Sequence, residues 1–331
     1  MKGFIAFLAF VALMAACAAA AGWLYLQALL PAPGPLTKET LVFIEAGSSG
    51  KKIASTLKSA GAIDDENVFR AGAFLMKGDG PLRAGEYMLE AQSSTEDVIK
   101  MLQTGKTYQR QLTIPEGLTS VEIIALVNNA EAMEGTITAT PPDGSLLPET
   151  YNYTYHEKRE DLVARMKKAM QDTLADVWKN RATDSLLKTP EEAVVLASVV
   201  EKETGIAAER AKVAGVFYNR LKIGMPLQSD PTVIYAITEG KEKLDRPLMR
   251  TDLNYASPYN TYYTAGLPPT PIANPGRASL EAVIKPEAHE YIYFVADGTG
   301  GHAFGKTLAE HDRNVGKWRE FQRKQKKSSE D

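Results

Sequence analysis

The sequence predicts an α+β protein: a single N-terminal transmembrane helix over residues 4–30, a small βααβ module over 40–108, and a mixed α/β domain over 109–325 built around one buried helix. Three observations predict it. Phe4 to Leu30 carries no charge and a single amide, Gln27. Between residues 40 and 108, two short strand-like runs are separated by helical patterns. Thr189 to Gly205 opens on a capped proline, runs apolar on every side and ends in two carboxylates.

The composition is that of an ordinary globular chain, with 331 residues of which 44% are hydrophobic and 24% charged, enough for about two domains. A formal net charge of -3 argues against a binder of phosphate backbones, so no nucleic-acid partner is expected. The one cysteine, Cys17, lies in the apolar segment, which excludes an intrachain disulfide and a thiolate metal site. His302, His311 and Asp312 lack a third ligand at suitable spacing. Structural roles are expected for them, with no metal and no other cofactor.

Residues 4–30 exceed the ~20 apolar residues needed to cross a bilayer as a helix. Trp23 and Tyr25 suit the headgroup interface, and Pro31 and Pro33 stop the helix. Ala18 to Ala21 resembles a signal-peptidase site, and Met14-Ala15-Ala16-Cys17 is a weaker lipoprotein-like pattern. The apolar run continues past both, which favours a retained anchor. Lys2 places residues 1–3 in the cytoplasm as a short stub and everything after Pro31 outside. The expectation is a single-pass protein of the inner (cytoplasmic) membrane, held in the bilayer by residues 4–30, with its bulk in the periplasm.

A Pro/Gly-rich linker over 31–39 leads to the strand-like run Leu41 to Ile44. Gly47-Ser48-Ser49 then opens a helix with Ile53, Leu57 and Ala60 on one face, closed by Gly61. A second helix is expected over Val68 to Met76, a strand over Ala84 to Leu89, and a helix over Thr95 to Leu102, opened by Ser94 or Thr95 and ended by Gly105. The order resembles a LysM-like glycan-binding module, with Leu82 to Tyr87 supplying its second strand. Glycan contact and mere packing stay open as its role. Beyond it come a strand at Leu112 to Ile114, a helix opened by Ser120, a loop over Gly135 to Gly144, a compact turn to Tyr151, and a helix from Glu160 to about Lys179. Residues 326–331 read as a charged, solvated tail.

The buried helix has Thr189 as N-cap, Pro190 at its first position and Glu192 reaching back to the cap. Ala193 to Val200 is apolar all round, as expected of a helix enclosed by other elements. Glu201 and Glu203 follow, about 200° apart around the axis, so they cannot face each other as a dyad. Spacing alone does not choose between them, and both could be solvated glutamates paired with Lys202 or Arg210. Glu203 is last before Thr204 and a C-capping Gly205, where the helix dipole favours the protonated carboxyl that a general acid requires.

Downstream, Lys212 to Lys222 reads as a helix with Val213, Val216, Phe217 and Leu221 inward. Asp230 and Pro231 open another helix through Val233, Tyr235 and Ile237. Asn254 to Tyr263, Gly266-Leu267-Pro268-Pro269 and Asn274-Pro275-Gly276 make a long loop dense in Tyr and Asn. Such side chains suit sugars, which present hydroxyls, acetamido groups and flat C–H faces. Tyr291 to Val295 is a strand, turned by Asp297-Gly298 into a hairpin with His302-Ala303-Phe304.

Leu196 to Thr204, Phe217 to Leu221, Leu227 to Tyr235, Tyr259 to Tyr262 with Gly266 to Pro269, and Tyr293 to Gly298 together resemble the endolytic murein transglycosylase family. The resemblance runs in order over essentially the whole chain. It implies that 109–325 is a catalytic domain, that the buried helix is a lytic-transglycosylase-like catalytic helix, and that Glu203 is its acid and then base. It implies cleavage of the MurNAc-GlcNAc bond of nascent peptidoglycan strands with 1,6-anhydroMurNAc formation, ending strand elongation, and peptidoglycan synthases as protein partners. Asn219, Gln228, Ser229, Asp230, Thr232, Tyr235, Asn260, Thr261, Tyr262, Gly266, Leu267 and Pro268 are the expected glycan-binding residues. The turn Asp143-Gly144-Ser145 departs from the family's Glu-Gly-aromatic pattern. A hydrolytic muramidase, with Asp230 approaching as a second carboxylate, and a non-catalytic wall-synthesis scaffold are the rival readings.

Overall fold

The computed structural model describes residues 2–183 and 185–328, so Met1 of the expected stub and residues 329–331 of the expected tail lie outside the described residues. It is a mixed helix-and-sheet protein of two compact units, residues up to 110 with 152–156, and residues 111–151 with those from 157 onward.

In the first unit, α1 (Lys2–Leu29) is long and apolar enough to cross a membrane, a property that signal sequences share. Phe4, Phe7, Trp23 and Leu24 along it are exposed. At its end Leu26, Leu29 and Leu30 pack into the unit's core. The following Pro/Gly stretch is also fastened rather than free: Gly34 N donates to Gln92 O (3.1 Å), Gln92 N to Leu36 O (2.8 Å) and Glu96 N to Leu30 O (2.9 Å). Glycine is required at 34, because a Cβ there would lie 2.1 Å from Ser93 O.

The core is made by β1 (Thr40–Ile44), α2 (Gly50–Ser59), α3 (Glu66–Leu75), β2 (Gly85–Leu89) and α4 (Thr95–Thr104). β1 and β2 pair antiparallel from Thr40 with Leu89 to Ile44 with Gly85. Ser49 caps α2, Asp65 caps α3, and Ser94 closes a capping box with Asp97 on α4. Their apolar faces bury Ile53, Leu57, Phe69, Ile99 and Leu102 against Val42, Tyr87 and Leu89 of the sheet. Residues 152–156 belong to this unit for a physical reason: the Tyr155 ring stacks on His156, centroids 4.1 Å apart, and lies 4.5 Å from Phe43 of β1.

A short sheet pairs β3 (Arg110–Thr113) with β4 (Thr150–Tyr153), a strand where the sequence reads as a turn. The second unit holds α5 (Ser120–Asn129), α6 (Arg159–Lys179), α7 (Pro190–Glu203), α8 (Arg210–Lys222), α9 (Asp230–Thr238), α10 (Arg277–Ile284), the antiparallel hairpin β5 (Tyr293–Ala296) and β6 (His302–Gly305), and α11 (Leu308–Ser328). Every residue of α7 from Ala193 to Val200 is buried, among α6, α8, α9 and α10. The burial explains the all-round apolar run.

The ends of α7 differ in detail from expectation. Thr189 Oγ1 accepts from Glu192 N (3.2 Å), but the Glu192 carboxylate accepts from Lys188 N (2.6 Å), one residue before the cap. The C-cap is Thr204 in an extended conformation, φ -141°, and no left-handed glycine ends the helix. Likewise α9 begins at Asp230, with Ser229 in the cap position instead of Asp230, and without a side-chain cap bond.

Candidate active site

The reason Ser229 does not cap α9 is that its hydroxyl is used elsewhere: it donates to Glu203 Oε1 at 2.5 Å. The two helix ends meet there, the C-terminus of α7 facing the N-terminus of α9. Glu203 opens onto a cleft of about 500 Å³ lined also by Arg220, Gln228, Asp230, Tyr262 and His302. The hairpin residues Tyr293 to Ala296 and, from α11, Leu308 and His311 complete the wall.

Burial pushes the Glu203 carboxyl up from 4.5 to about 7, and the nearby Asp230 charge adds to the rise. The Ser229 hydrogen bond and the charges of His302 and Arg220 oppose it. Desolvation disfavours the ionised form, so crowding of the carboxyl, rather than the helix dipole the sequence suggested, dominates the shift.

Glu201 is a different residue in kind. Its side chain is 4% exposed, with Oε1 accepting from Arg210 Nη2 (3.1 Å) and Oε2 from Gly276 N (2.9 Å). Arg210 also bonds Glu116 Oε2 at 2.9 Å. Gly276 fits because it lacks a side chain, since a Cβ would sit 1.8 Å from Glu116 Oε1. The Arg210 pairing weighed for both glutamates is therefore the role of Glu201.

The residues expected to bind glycan fall into three groups. Gln228, Asp230 and Tyr262 line the cleft, with Tyr262 OH donating to Asp230 Oδ1 at 2.7 Å. Gln228 is held in the left-handed region at φ 49°, an uncommon conformation for a non-glycine residue. Its neighbours hold it there: Gln228 N donates to Thr261 O (3.1 Å), Ser229 N to Thr261 Oγ1 (3.0 Å) and Arg220 Nη1 to Leu227 O (2.6 Å). Such strain is tolerated where the surroundings over-determine it.

The second group supports the first from behind. Thr232 Oγ1 donates to Ser229 O at 2.6 Å and lies 2.8 Å from Thr261 Oγ1, both threonines being buried. Asn260 is fully buried, its Nδ2 donating to Leu253 O and Tyr255 O and its Oδ1 accepting from Tyr262 N. Asn219 Nδ2 donates to His289 O and Tyr291 O, steadying the approach to β5.

The third group stands away from the cleft. Tyr235 OH donates to Asp143 Oδ2 (2.7 Å), and Asp143 Oδ1 accepts from Ser120 N (2.6 Å), so the departing turn at 143–145 is tied into the fold. Gly266, Leu267 and Pro268 shape the loop, Leu267 packing on the core around α7.

Several cleft residues escaped the sequence reading. Arg220 is buried, its Nε donating to Ile292 O at 2.7 Å. His302 and His311, expected to be merely structural, line the cleft. His302 is gripped by Glu209, from the turn before α8: its Nδ1 lies 2.7 Å from Glu209 Oε2, and its backbone N donates to Oε1 at 3.0 Å.

Residues 42–317 match the model of the YceG-like family. The endolytic murein transglycosylase of Bacillus subtilis (strain 168) is 34% identical over 328 residues, covering 88% of each chain. That of Streptococcus pneumoniae serotype 2 (strain D39 / NCTC 7466) is 33% identical over 341 residues, 89% of this chain and 61% of the relative. A crystal structure of a yceG-like protein from Listeria monocytogenes superposes with a TM-score of 0.52 at 31% identity, over 84% of this chain and 99% of the other.

Proposed function

Because this chain belongs to the YceG-like family, we propose that it is an endolytic lytic transglycosylase that cuts the MurNAc-GlcNAc bond of nascent peptidoglycan strands. It forms 1,6-anhydroMurNAc ends and so terminates strand elongation. It works at the outer face of the inner membrane, with α1 as its anchor and the peptidoglycan synthases as neighbours. The β-α-α-β order of the first unit supports a LysM-like glycan contact there.

The observation that carries the reading is a cleft carboxyl whose pKa is pushed up to about 7, which holds a proton available near neutral pH. Glu203 gives that proton to the glycosidic oxygen as the C1–O4 bond breaks. The carboxylate then receives the proton of the O6 hydroxyl as O6 closes onto C1. Ser229, donating to Oε1, steadies the ionised stage. Gln228, Asp230 and Tyr262 contact the glycan, positioned by Asn219, Thr232, Asn260 and Thr261.

Asp230 on the same cleft favours a second reading, hydrolysis by two carboxylates. Sacculi digested with the detergent-solubilised full chain separate the two by mass spectrometry. Anhydro ends are the expected product, and reducing ends would replace this reading with the hydrolytic one.

The pH profile gives a further expectation. Activity that needs protonated Glu203 falls above about pH 7. Ser229→Ala removes a donor that favours the carboxylate, which raises the Glu203 pKa. A hydrogen bond to a charged group is worth about 1.5–3 kcal/mol, so the alkaline limb moves up by roughly one to two pH units. An unmoved limb would show that Ser229 does not act on the titrating group.

A further inference from the structure

The first unit is joined to α1 without slack, and this decides which of its surfaces meets the bilayer. Gly3–Leu29 is 27 residues long. At about 1.5 Å per residue that is roughly 40 Å, about 10 Å more than a hydrocarbon core. Trp23 and Tyr25, exposed near the end of α1, suit the headgroup layer, so the surplus length lies there. The residues of that surplus are the ones that pack into the unit: Leu26, Leu29 and Leu30. Leu30 O accepts from Glu96 N at 2.9 Å, and a Cβ on Gly72 of α3 would lie 2.5 Å from a Leu30 methyl. Beyond Leu30 the chain runs towards the N-terminal end of α3, since a Cβ on Gly34 would lie 3.7 Å from Ala62 O, shortly before that helix begins. α1 therefore arrives from the opposite direction, alongside α3, and the C-terminal turn of α3 points back towards the bilayer.

That turn carries the side chains a membrane surface favours. Phe74 is 66% exposed and Leu75 46% exposed, although both are large and apolar. Lys77 Nζ stands 4.6 Å over the Phe74 ring. Lys51 at the start of α2 and Arg70 line one shallow groove with Phe74 and Lys77, and no acidic side chain among the described residues lines it. Apolar side chains ringed by cations suit the acyl–headgroup boundary of an anionic membrane. From Arg70 to Lys77 there is no side-chain amide or carboxylate to meet sugar hydroxyls, which favours lipid over glycan as the occupant.

We propose that the C-terminal turn of α3 docks on anionic phospholipid at the face of the bilayer that α1 leaves, with Phe74 and Leu75 inserted and Lys51, Arg70 and Lys77 around them. The inference rests on the reading of α1 as a retained anchor and adds a second contact to it. A single helix lets the first unit swivel about its axis. Two contacts hold that unit in one orientation on the bilayer.

The test is a depth measurement on the full-length chain, reconstituted in vesicles of phosphatidylcholine and phosphatidylglycerol with part of the lipid brominated along its acyl chains. Cys17→Ala removes the native thiol, and a nitrobenzoxadiazole label is attached in turn at Leu75→Cys, Lys58→Cys and Leu13→Cys. All three positions are exposed, so the labels leave the core intact. The label at 75 is expected to be quenched and blue-shifted, and the label at 58, in the last turn of α2, to be neither. The label at 13 is expected to be quenched, as a spanning α1 requires. Arg70→Gln and Lys77→Gln are each expected to weaken docking about fivefold, read as lost quenching at 75. Equal, unquenched emission at 75 and 58 with quenching at 13 overturns the docking and leaves the anchor standing. Quenching at 75 that the double glutamine variant leaves unchanged overturns the assignment to anionic lipid. Emission at 75 that shifts only when soluble glycan fragments are added, without quenching by lipid, gives the turn to glycan and overturns the proposal. An unquenched label at 13 overturns the anchor and the docking together.

Discussion

Glu203→Gln is expected to abolish strand cleavage while making the folded protein more stable at alkaline pH. The amide keeps the shape of the side chain and can still accept from Ser229, but it has no proton to give to the glycosidic oxygen. General acid–base groups contribute about 10²–10⁴-fold each, so the rate falls by at least about 10³-fold when the one group that serves as both acid and base is removed. The stability effect has the opposite sign. The carboxyl titrates near 7 in the folded chain against an ordinary value of 4.5. Between those pH values the folded state keeps a proton that the unfolded chain has lost, so stability falls as pH rises through that window. The slope is about 1.4 kcal/mol per pH unit, or on the order of 3 kcal/mol by pH 8. Glutamine removes this penalty. The melting temperatures of wild type and variant should therefore coincide near pH 4 and separate by pH 8, the variant melting higher. A variant that melts lower at pH 8 would show that the carboxyl is not held protonated by burial.

The same residue marks how far the sequence could be read. Burial of α7 was legible because eight consecutive residues, Ala193 to Val200, leave no polar face for water. The apolar α1 and the order of β1, α2, α3, β2 and α4 were legible for similar reasons: hydrophobic period, caps and glycines are local signals. The cleft was legible only in part. Asn260 has the side chain of a sugar binder, yet its amide bonds Leu253 O, Tyr255 O and Tyr262 N. An amide serves a glycan or its own loop equally well, and composition does not say which. His302 and Glu209 stand 93 residues apart, and nothing local in either stretch announces the pairing. It arises when the β5–β6 hairpin packs against α8, which puts the ring beside the turn that opens that helix.

The residue that holds the back of this site is Arg210, and Arg210→Met is the substitution with the largest expected effect on stability. Its guanidinium is shared by Glu201 at 3.1 Å and Glu116 at 2.9 Å. Glu201 is almost wholly buried, while burial and the nearness of Glu201 raise the Glu116 pKa. Removing one partner of a buried ion pair strands the other charge and destabilises by about 3–5 kcal/mol. For a chain of this size that corresponds to a drop in melting temperature on the order of 10 °C. The loss should depend on pH. Without the cation, which holds the Glu116 pKa down against burial and the nearby Glu201, the Glu116 carboxyl keeps its proton more firmly in the folded state than in the unfolded chain. The variant then loses stability as pH rises and recovers part of it towards pH 5. Adding Glu201→Gln should restore part of the loss at pH 8, because the stranded charge is gone and the amide can still accept from Gly276 N. Simple loss of the methylene packing of Arg210 would give a deficit that neither pH nor the second substitution changes. Since Glu201 precedes Glu203 by two residues on the last turn of α7, the double variant should also regain cleavage rate along with stability.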